Sequence, residues 1–364
     1  MSILLFIIIL GILVFVHEFG HFIAAKKAGV RVDEFGIGLP PRLWKKKIGE
    51  TIYSINLFPV GGFVKIFGEN PDEESIGGED SKRSLFHSSK LTQGWIISAG
   101  IIFNLLFAWV LITSGFIIGV PFSSDDLLYG SRVKDAFVLI SGVAPRSPAL
   151  TAGLKEGDRI VSLSAEGEEL PHPTISATQD FIASHSVLTI SYLRGEELKT
   201  VTVRPEDGLK EGAKAIGISL DIVGTLKLPV HQALYAGSTI TISIIKSTVV
   251  GLFEFFKNIF SGTAGFSDIS GPIGIVGAVK NASSLGFSHL IYLTALISIN
   301  LAVINIFPFP ALDGGRLFFI VIETIKRSPL RPSFVNTING IGFALLILLM
   351  VVVTYGDIIK IAHQ

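Results

Sequence analysis

His17 and His21 stand four residues apart, with Glu18 directly after the first, inside a run that otherwise carries no charge from Ile3 to Ala25. On an α-helix this spacing puts both imidazoles on one face, one turn apart, where their ring nitrogens can reach a single metal ion. Glu18 can then address a water on that metal. An ionisable residue at the centre of a membrane helix costs roughly 2.5 to 3.5 kcal/mol, so such a cluster reads first as a functional site. The same His-Glu-x-x-His pattern also arises as ordinary helix surface in soluble proteins. Within a hydrophobic run no such surface exists.

A catalytic zinc takes three protein ligands and leaves a fourth position to water, so the two histidines need a partner. Asp313 is the candidate: it follows a helix break in the only other apolar segment with a carboxylate in a plausible ligand position. The bland reading makes Asp313 the turn residue of Leu312-Asp313-Gly314-Gly315. The prolines before it and its depth favour the ligand. Zinc lowers the pKa of a bound water to roughly 7 and polarises a peptide carbonyl, while Glu18 accepts the proton and returns it to the leaving amine. The chemistry this points to is hydrolysis of an amide within a membrane. Asn305 can hydrogen-bond substrate backbone or a developing oxyanion, and helix packing accounts for it equally well. His87, His172, His185, His231, His289 and His363 fall at expected loops or element ends and read as solvated side chains.

Composition supports a membrane setting. Of 364 residues, 49% are hydrophobic and only 16% charged, and the mean hydropathy of +0.60 exceeds what a soluble core would hide. The formal charge is +0, with 30 basic and 30 acidic residues and no long basic tract, which argues against nucleic acid as a partner. The chain has no cysteine, which excludes disulfides, thiolate nucleophiles and cysteine-ligated zinc. The first apolar segment lacks a basic n-region and reads as a retained span.

The elements that must position these residues follow in order. Ile3 to about Ala25 is long enough to span, and Lys26-Lys27 close it. Thr51 to Phe67 alternates weakly and turns at Pro59-Val60-Gly61-Gly62, which predicts a β-hairpin, and Glu69 to Arg83 reads as a loop. Gly94 to about Val120 is the second span, interrupted only by Asn104, which reads as helix-packing glue rather than chemistry. From Ser124 to about Val223 the pattern is that of a soluble α+β domain. Strands are expected at Val133–Ile140, Arg159–Leu163, Val187–Leu193 and Lys199–Val203, with short helices at Ser147–Gly153 and Thr174–Ser184. Leu228 to Phe260 is apolar with scattered Ser, Thr and charges, which favours an amphipathic helix at the interface over a third span. Leu290 to Phe307 spans, and Pro308 and Pro310 end it, since each lacks an N–H and clashes with the preceding turn. Non-helical backbone at that depth must be buried or line a cavity, so the break faces a site. Ile341 to about Tyr355 closes the chain, giving about four transmembrane helices.

Eleven Lys and Arg residues from Lys26 to Lys90, and four more from Arg316 to Arg331, place both loops in the cytoplasm. The soluble domain and both termini are then extracytoplasmic. The histidine cluster sits toward the cytoplasmic leaflet.

His17-Glu18-Phe19-Gly20-His21 together with Asn305-Ile306-Phe307-Pro308-Phe309-Pro310-Ala311-Leu312-Asp313-Gly314 resembles the site-2 protease family of intramembrane zinc metalloproteases, bacterial regulator-of-sigma-E protease type. The resemblance extends through Phe35-Gly36-Ile37-Gly38, Pro59-Val60-Gly61-Gly62-Phe63-Val64-Lys65, Ser147-Pro148-Ala149 to Gly157-Asp158-Arg159-Ile160, and Ser270-Gly271-Pro272-Ile273-Gly274. It implies zinc ligands His17, His21 and Asp313, the general base Glu18, and a substrate-positioning segment of Asn305, Pro308 and Pro310. It makes the soluble domain a PDZ domain, which captures an extended peptide or C-terminus as an added strand. The implied substrates are single-span membrane proteins already shortened by a first protease, such as anti-sigma factors, and remnant signal peptides. The implied setting is the bacterial inner membrane. The expected organisation is a membrane protease half over 1–123 with a membrane-associated β-hairpin, a PDZ domain over 124–223, an interfacial segment over 224–289 and a second membrane half over 290–364.

Two departures from the family stand out. The room between the second span and the interfacial segment suits one PDZ domain where many members have two, and Gly100 is followed by Ile101 rather than proline. A rival reading is a non-catalytic membrane scaffold whose PDZ domain tethers partners. A metal transporter is a second rival, but no chain of further intramembrane carboxylates or histidines supports it.

Overall fold

An apolar run without proline makes α1 (Ser2–Lys27), and Lys26 and Lys27 fall in its last turn, where cations complement the helix dipole. Gly29, at φ +77°, ends it: the Gly29 N–H donates to the Lys26 carbonyl and the Val30 N–H to that of Ala25. The computed structural model describes residues 1–70, 73–123, 134–171, 173–195, 197–210, 213–261 and 271–362. Two compact units emerge, Met1–Thr113 with Ala236–Asn281 and Ile291–Gln364, and Ser114–Tyr235 with Ala282–Leu290.

The first unit continues with β1 (Val32–Ile48), β2 (Thr51–Ile66), α2 (Glu73–Gly77), a 3-10 turn at Ser81–Arg83, and α3 (Lys90–Ile118). The expected hairpin within Thr51–Phe67 is corrected. The two halves of β2 do not pair with each other; Glu34–Ile37 of β1 lies between them, in register with Ile52–Ile55 on one side and with Gly62–Lys65 on the other. The hairpin turn proper is at Gly49-Glu50, and Pro59–Gly61 turns β2 around the edge of β1. Phe22, Ala25, Val32, Phe35, Ile66, Ile96 and Ala99 form the core that joins this sheet to α1 and α3. The two helices touch through backbone: a Cβ on Gly20 would lie 2.5 Å from the Ala99 carbonyl oxygen.

The second unit holds β3 (Val120–Ser123), β4 (Lys134–Val143), α4 (Pro148–Thr151), β5 (Arg159–Ala165), β6 (Glu168–Pro171), α5 (Ile175–Ser184), β7 (Leu188–Arg194), β8 (Glu197–Val203), β9 (Glu206–Lys210), β10 (Ala213–Ala215) and β11 (Ile218–Leu226). Its main sheet runs β3-β11-β4-β5-β7-β8, with β6 beside β5. Val138, Ile140, Leu154, Ile160, Leu163, Phe181, Leu188 and Ile190 fill the core. Ser147 and Thr174 cap α4 and α5 by accepting from Leu150 and Ala177 N–H.

The remaining helices are α6 (Val230–Phe260), α7 (Pro272–Leu285), α8 (Phe287–Ile306), α9 (Asp313–Lys326) and α10 (Pro332–Ala362). Among the described residues five helices, α1, α3, α6, α8 and α10, are long and apolar enough to cross a membrane, where about four were expected. The difference is α6. It runs beside α3 and α8: a Cβ on Gly237 would collide with Thr113, Thr248 Oγ1 donates to Asn300 Oδ1 at 3.0 Å, and Phe256 stacks on Phe307 at 4.8 Å. From residue 237 to 256 is about 28 Å of helix. Gly271 N–H donates to Asp357 Oδ1 at 3.1 Å, and Gly274 N–H donates to Oδ2 at 2.8 Å. Asp357 lies about 22 Å along α10 from Gly342, which packs on Pro310, close to Phe307.

Candidate metal centre

Three atoms from two distant parts of the sequence converge at one point. His17 Nε2 and His21 Nε2 are 3.2 Å apart, and Asp313 Oδ2 lies 3.0 Å from the first and 3.3 Å from the second. Both histidines are buried, and Asp313 Oδ2 is buried without a hydrogen-bond partner. Bonds of about 2.0 to 2.2 Å put the ligands of a tetrahedral zinc about 3.3 to 3.6 Å apart, and this cluster is slightly tighter than that. An orphaned carboxylate oxygen beside two imidazole nitrogens is therefore the donor set a zinc ion needs. Among the described residues no other three His, Cys, Asp or Glu side chains converge in this way.

The break before α9 delivers Asp313. Pro308 and Pro310 end α8, Ala311 takes φ +73°, and Leu312 N–H returns to the Phe309 carbonyl at 3.2 Å, so the chain reverses in a few residues. Gly314 and Gly315 pack against the carbonyls of Phe307 and Phe309 so closely that a Cβ at either would collide. Asn339 Oδ1 accepts from Ala311 N–H at 3.2 Å and ties the turn to α10.

Glu18 lines the same cavity, of about 210 Å³, with His17, His21, Asp313, Phe63 and Val64. Its Oε2 accepts the Val64 N–H at 3.0 Å, so β2 holds this carboxylate. Arg316 and Glu69 form an ion pair at the cavity wall, with Arg316 Nη2 also donating to the Glu69 carbonyl at 2.7 Å. Asn305, Pro308 and Pro310 do not line this cavity; they lie at the end of α8 and in the turn, half-buried except for the exposed Pro308.

Sequence reasoning missed the helix behind the histidines. His21 Nδ1 meets the Ile96 carbonyl at 2.8 Å, and the Asn104 side chain meets His17 Nδ1 at 3.3 Å. Between them, a Cβ on Gly100 would collide with His21 Nε2 and stand 2.8 Å from His17 Cε1. The one available signal was spacing: Ile96, Gly100 and Asn104 recur every fourth residue, as His17 and His21 do. Of the other histidines, His87 and His231 are exposed as expected, but His185 is half-buried on Phe181 and His289 half-buried in the first turn of α8. His172 and His363 lie outside the described residues.

The profile of Peptidase family M50 matches residues 5–349. A Clostridium perfringens protein provisionally named a zinc metalloprotease is 34% identical over 356 residues, 95% of each chain. Regulator of sigma-W protease RasP of Bacillus subtilis is 30% identical over 433 aligned residues, 98% of each chain, and zinc metalloprotease RasP of Shouchella clausii is 30% identical over 432, 99% of each. These matches run through the histidine cluster and the aspartate turn alike, and with the apolar helices they describe a multi-pass membrane protein that uses zinc to cleave membrane proteins. The chain belongs to peptidase family M50, the site-2 protease family of zinc metalloproteases.

Proposed function

We propose that His17, His21 and Asp313 hold the catalytic zinc, that Glu18 is the general base, and that the peptide bonds cleaved lie in transmembrane segments of single-span membrane proteins. The observation that carries this reading is the convergence of two Nε2 atoms and Asp313 Oδ2 in a cavity that Glu18 also lines. Zinc bound there lowers the pKa of water to about 7 and polarises the scissile carbonyl. Glu18 takes a proton from the attacking water and hands it to the leaving amine. Val64 N–H engages Oε2, which leaves Oε1 to exchange that proton. Helical substrate amides are shielded by their own hydrogen bonds and must unwind first. Among the described residues Gly62–Lys65 pairs with β1 on one side, and its other edge faces Glu18, where an added substrate strand would lie beside the base. Asn305, Pro308 and Pro310 would meet the substrate outside this cavity, at the turn before Asp313.

The relative named for sigma-W regulation supports substrates of the anti-sigma class, already shortened by a first protease, with remnant signal peptides as a second group. The second unit reads as one PDZ domain over 124–223, and its groove supports this. β3 covers only Val223–Leu226 of β11, so among the described residues Ile218–Ile222 has a free edge. Beside it a cavity of about 270 Å³ is lined by Asp180, Ile182, Ile216, Gly217 and Ile218. An extended peptide or C-terminus fits there as an extra strand.

The positive loops at 26–90 and 316–331 lie on one side, in the cytoplasm, if an even number of crossings separates them. α3 and α8 supply two. On this reading the termini and the PDZ domain lie outside. The deciding experiment is Glu18→Gln: the variant retains zinc and loses cleavage of a single-span test substrate in proteoliposomes. Cleavage at the wild-type rate would remove Glu18 from the chemistry.

A further inference from the structure

We propose that Asn104 is a positioning residue: its side-chain oxygen accepts the Nδ1–H of His17 and thereby fixes the tautomer that leaves His17 Nε2 free to bind the metal. The inference rests on the metal-ligand reading above and adds a residue outside the ligand set.

Two observations carry it. Asn104 is fully buried, and its amide faces His17 Nδ1 at 3.3 Å. Its Oδ1 is also one of the few buried side-chain polar atoms without a hydrogen-bond partner among the described residues. His17 points Nε2 at His21 and Asp313, so in a metal-binding ring Nε2 carries a lone pair and the proton resides on Nδ1. Nδ1–H is then a donor, and an amide NH2 group cannot accept from it. The oxygen can: with the amide turned by 180°, Oδ1 faces Nδ1–H, and the orphaned oxygen gains a donor. Metal-binding histidines commonly donate their second nitrogen in this way, and loss of the acceptor weakens metal affinity about 10- to 100-fold.

The arrangement repeats on the other ring. His21 Nδ1 donates to the Ile96 carbonyl at 2.8 Å, so α3 supplies one acceptor to each imidazole from positions two turns apart. The missing Cβ of Gly100 lets both rings approach between those acceptors. Ser298 Oγ donates to the Asn104 carbonyl at 2.8 Å, which ties this part of α3 to α8.

The test separates acceptor from donor and from packing. Zinc affinity of the purified full-length protein is measured by chelator competition for wild type, Asn104→Asp and Asn104→Leu. Asp offers only acceptors and Leu neither, so the expected result is affinity within about threefold of wild type for Asp and 10- to 100-fold weaker for Leu. Equal weakening of Asp and Leu, or wild-type affinity for Leu, would overturn the proposal. If Asn104→Leu fails to accumulate, histidine ¹⁵N spectra of the zinc-loaded wild type decide: protonated Nδ1 on His17 is expected, and protonated Nε2 contradicts it. The Glu18→Gln experiment is independent, because loss of the base leaves zinc affinity in place.

Discussion

Replacing Gly100 by alanine adds one methyl group to α3 in the space the two histidine rings occupy. The new Cβ would stand 2.8 Å from His17 Cε1 and closer still to His21 Nε2, where ordinary contact begins at 3.4 Å. His17 must therefore retreat by at least 0.6 Å (3.4 − 2.8) and His21 by more. Neither ring has slack, since His21 is held by the Ile96 carbonyl and α1 already touches α3 through Gly20 and Ala99. A displacement of about 1 Å at a catalytic centre costs on the order of 100-fold in rate. The expected outcome for Gly100→Ala is a fall of about that size in cleavage of a single-span test substrate, with zinc content falling in the same preparation. Helix propensity alone predicts the opposite sign, because Ala stabilises a helix interior by about 1 kcal/mol over Gly. Full zinc content with wild-type cleavage in Gly100→Ala would refute the close-approach reasoning.

Three further predictions test the rest of the molecule. The chain lacks cysteine, so Ser261→Cys gives a single label site; it is expected to react from the cytoplasmic side, whereas reaction from the outside alone would lay α6 flat. In the second unit, Asp158 is buried and bonded to Arg194 Nε and Nη2 at 2.8 Å, so Asp158→Ala is expected to destabilise that unit by about 1 to 3 kcal/mol in denaturant unfolding. A change within 0.5 kcal/mol, roughly the size of an ordinary surface substitution, would contradict this. Outside the spans, Arg83 and Lys26 hold the Glu50 carboxyl down at about 2. Because the folded value is depressed, the stability this adds is complete above the ordinary value of 4.5 and is lost as pH falls toward about 2. Glu50→Gln is thus expected to unfold more easily near neutral pH, by roughly 0.3 to 1 kcal/mol, with the two proteins converging in acid. A gap that widens as the pH falls would reverse the sign.

Much of the protein was legible wherever one residue type dictates a local outcome. His17 and His21 could be read from spacing and from the expense of ionisable groups in an apolar run. Asp313 could be read from two prolines that forbid a helix just before it. The strands at Arg159–Ala165 and Leu188–Arg194 follow from β-branched alternation. What could not be read depends on partners remote in sequence. The pairing of β1 with both halves of β2 is fixed by packing on Phe22 and Phe35, not by the turn residues at Pro59–Gly62. α6 carries enough Ser, Thr and charge to read as interfacial, yet Thr248 meets Asn300 and Phe256 meets Phe307 across helices the sequence separates by about fifty residues. Asn104 looked like a packing residue because its place beside His17 exists only once α1 lies against α3.

Zinc X-ray absorption on the purified protein tests the centre most directly. It is expected to show one zinc per chain with two imidazole nitrogens and a carboxylate oxygen at about 2.0 to 2.2 Å, the oxygen ligand being lost or replaced in Asp313→Ala. A chain without stoichiometric zinc, or an Asp313→Ala spectrum identical to wild type, would contradict a metal centre divided between α1 and the turn into α9.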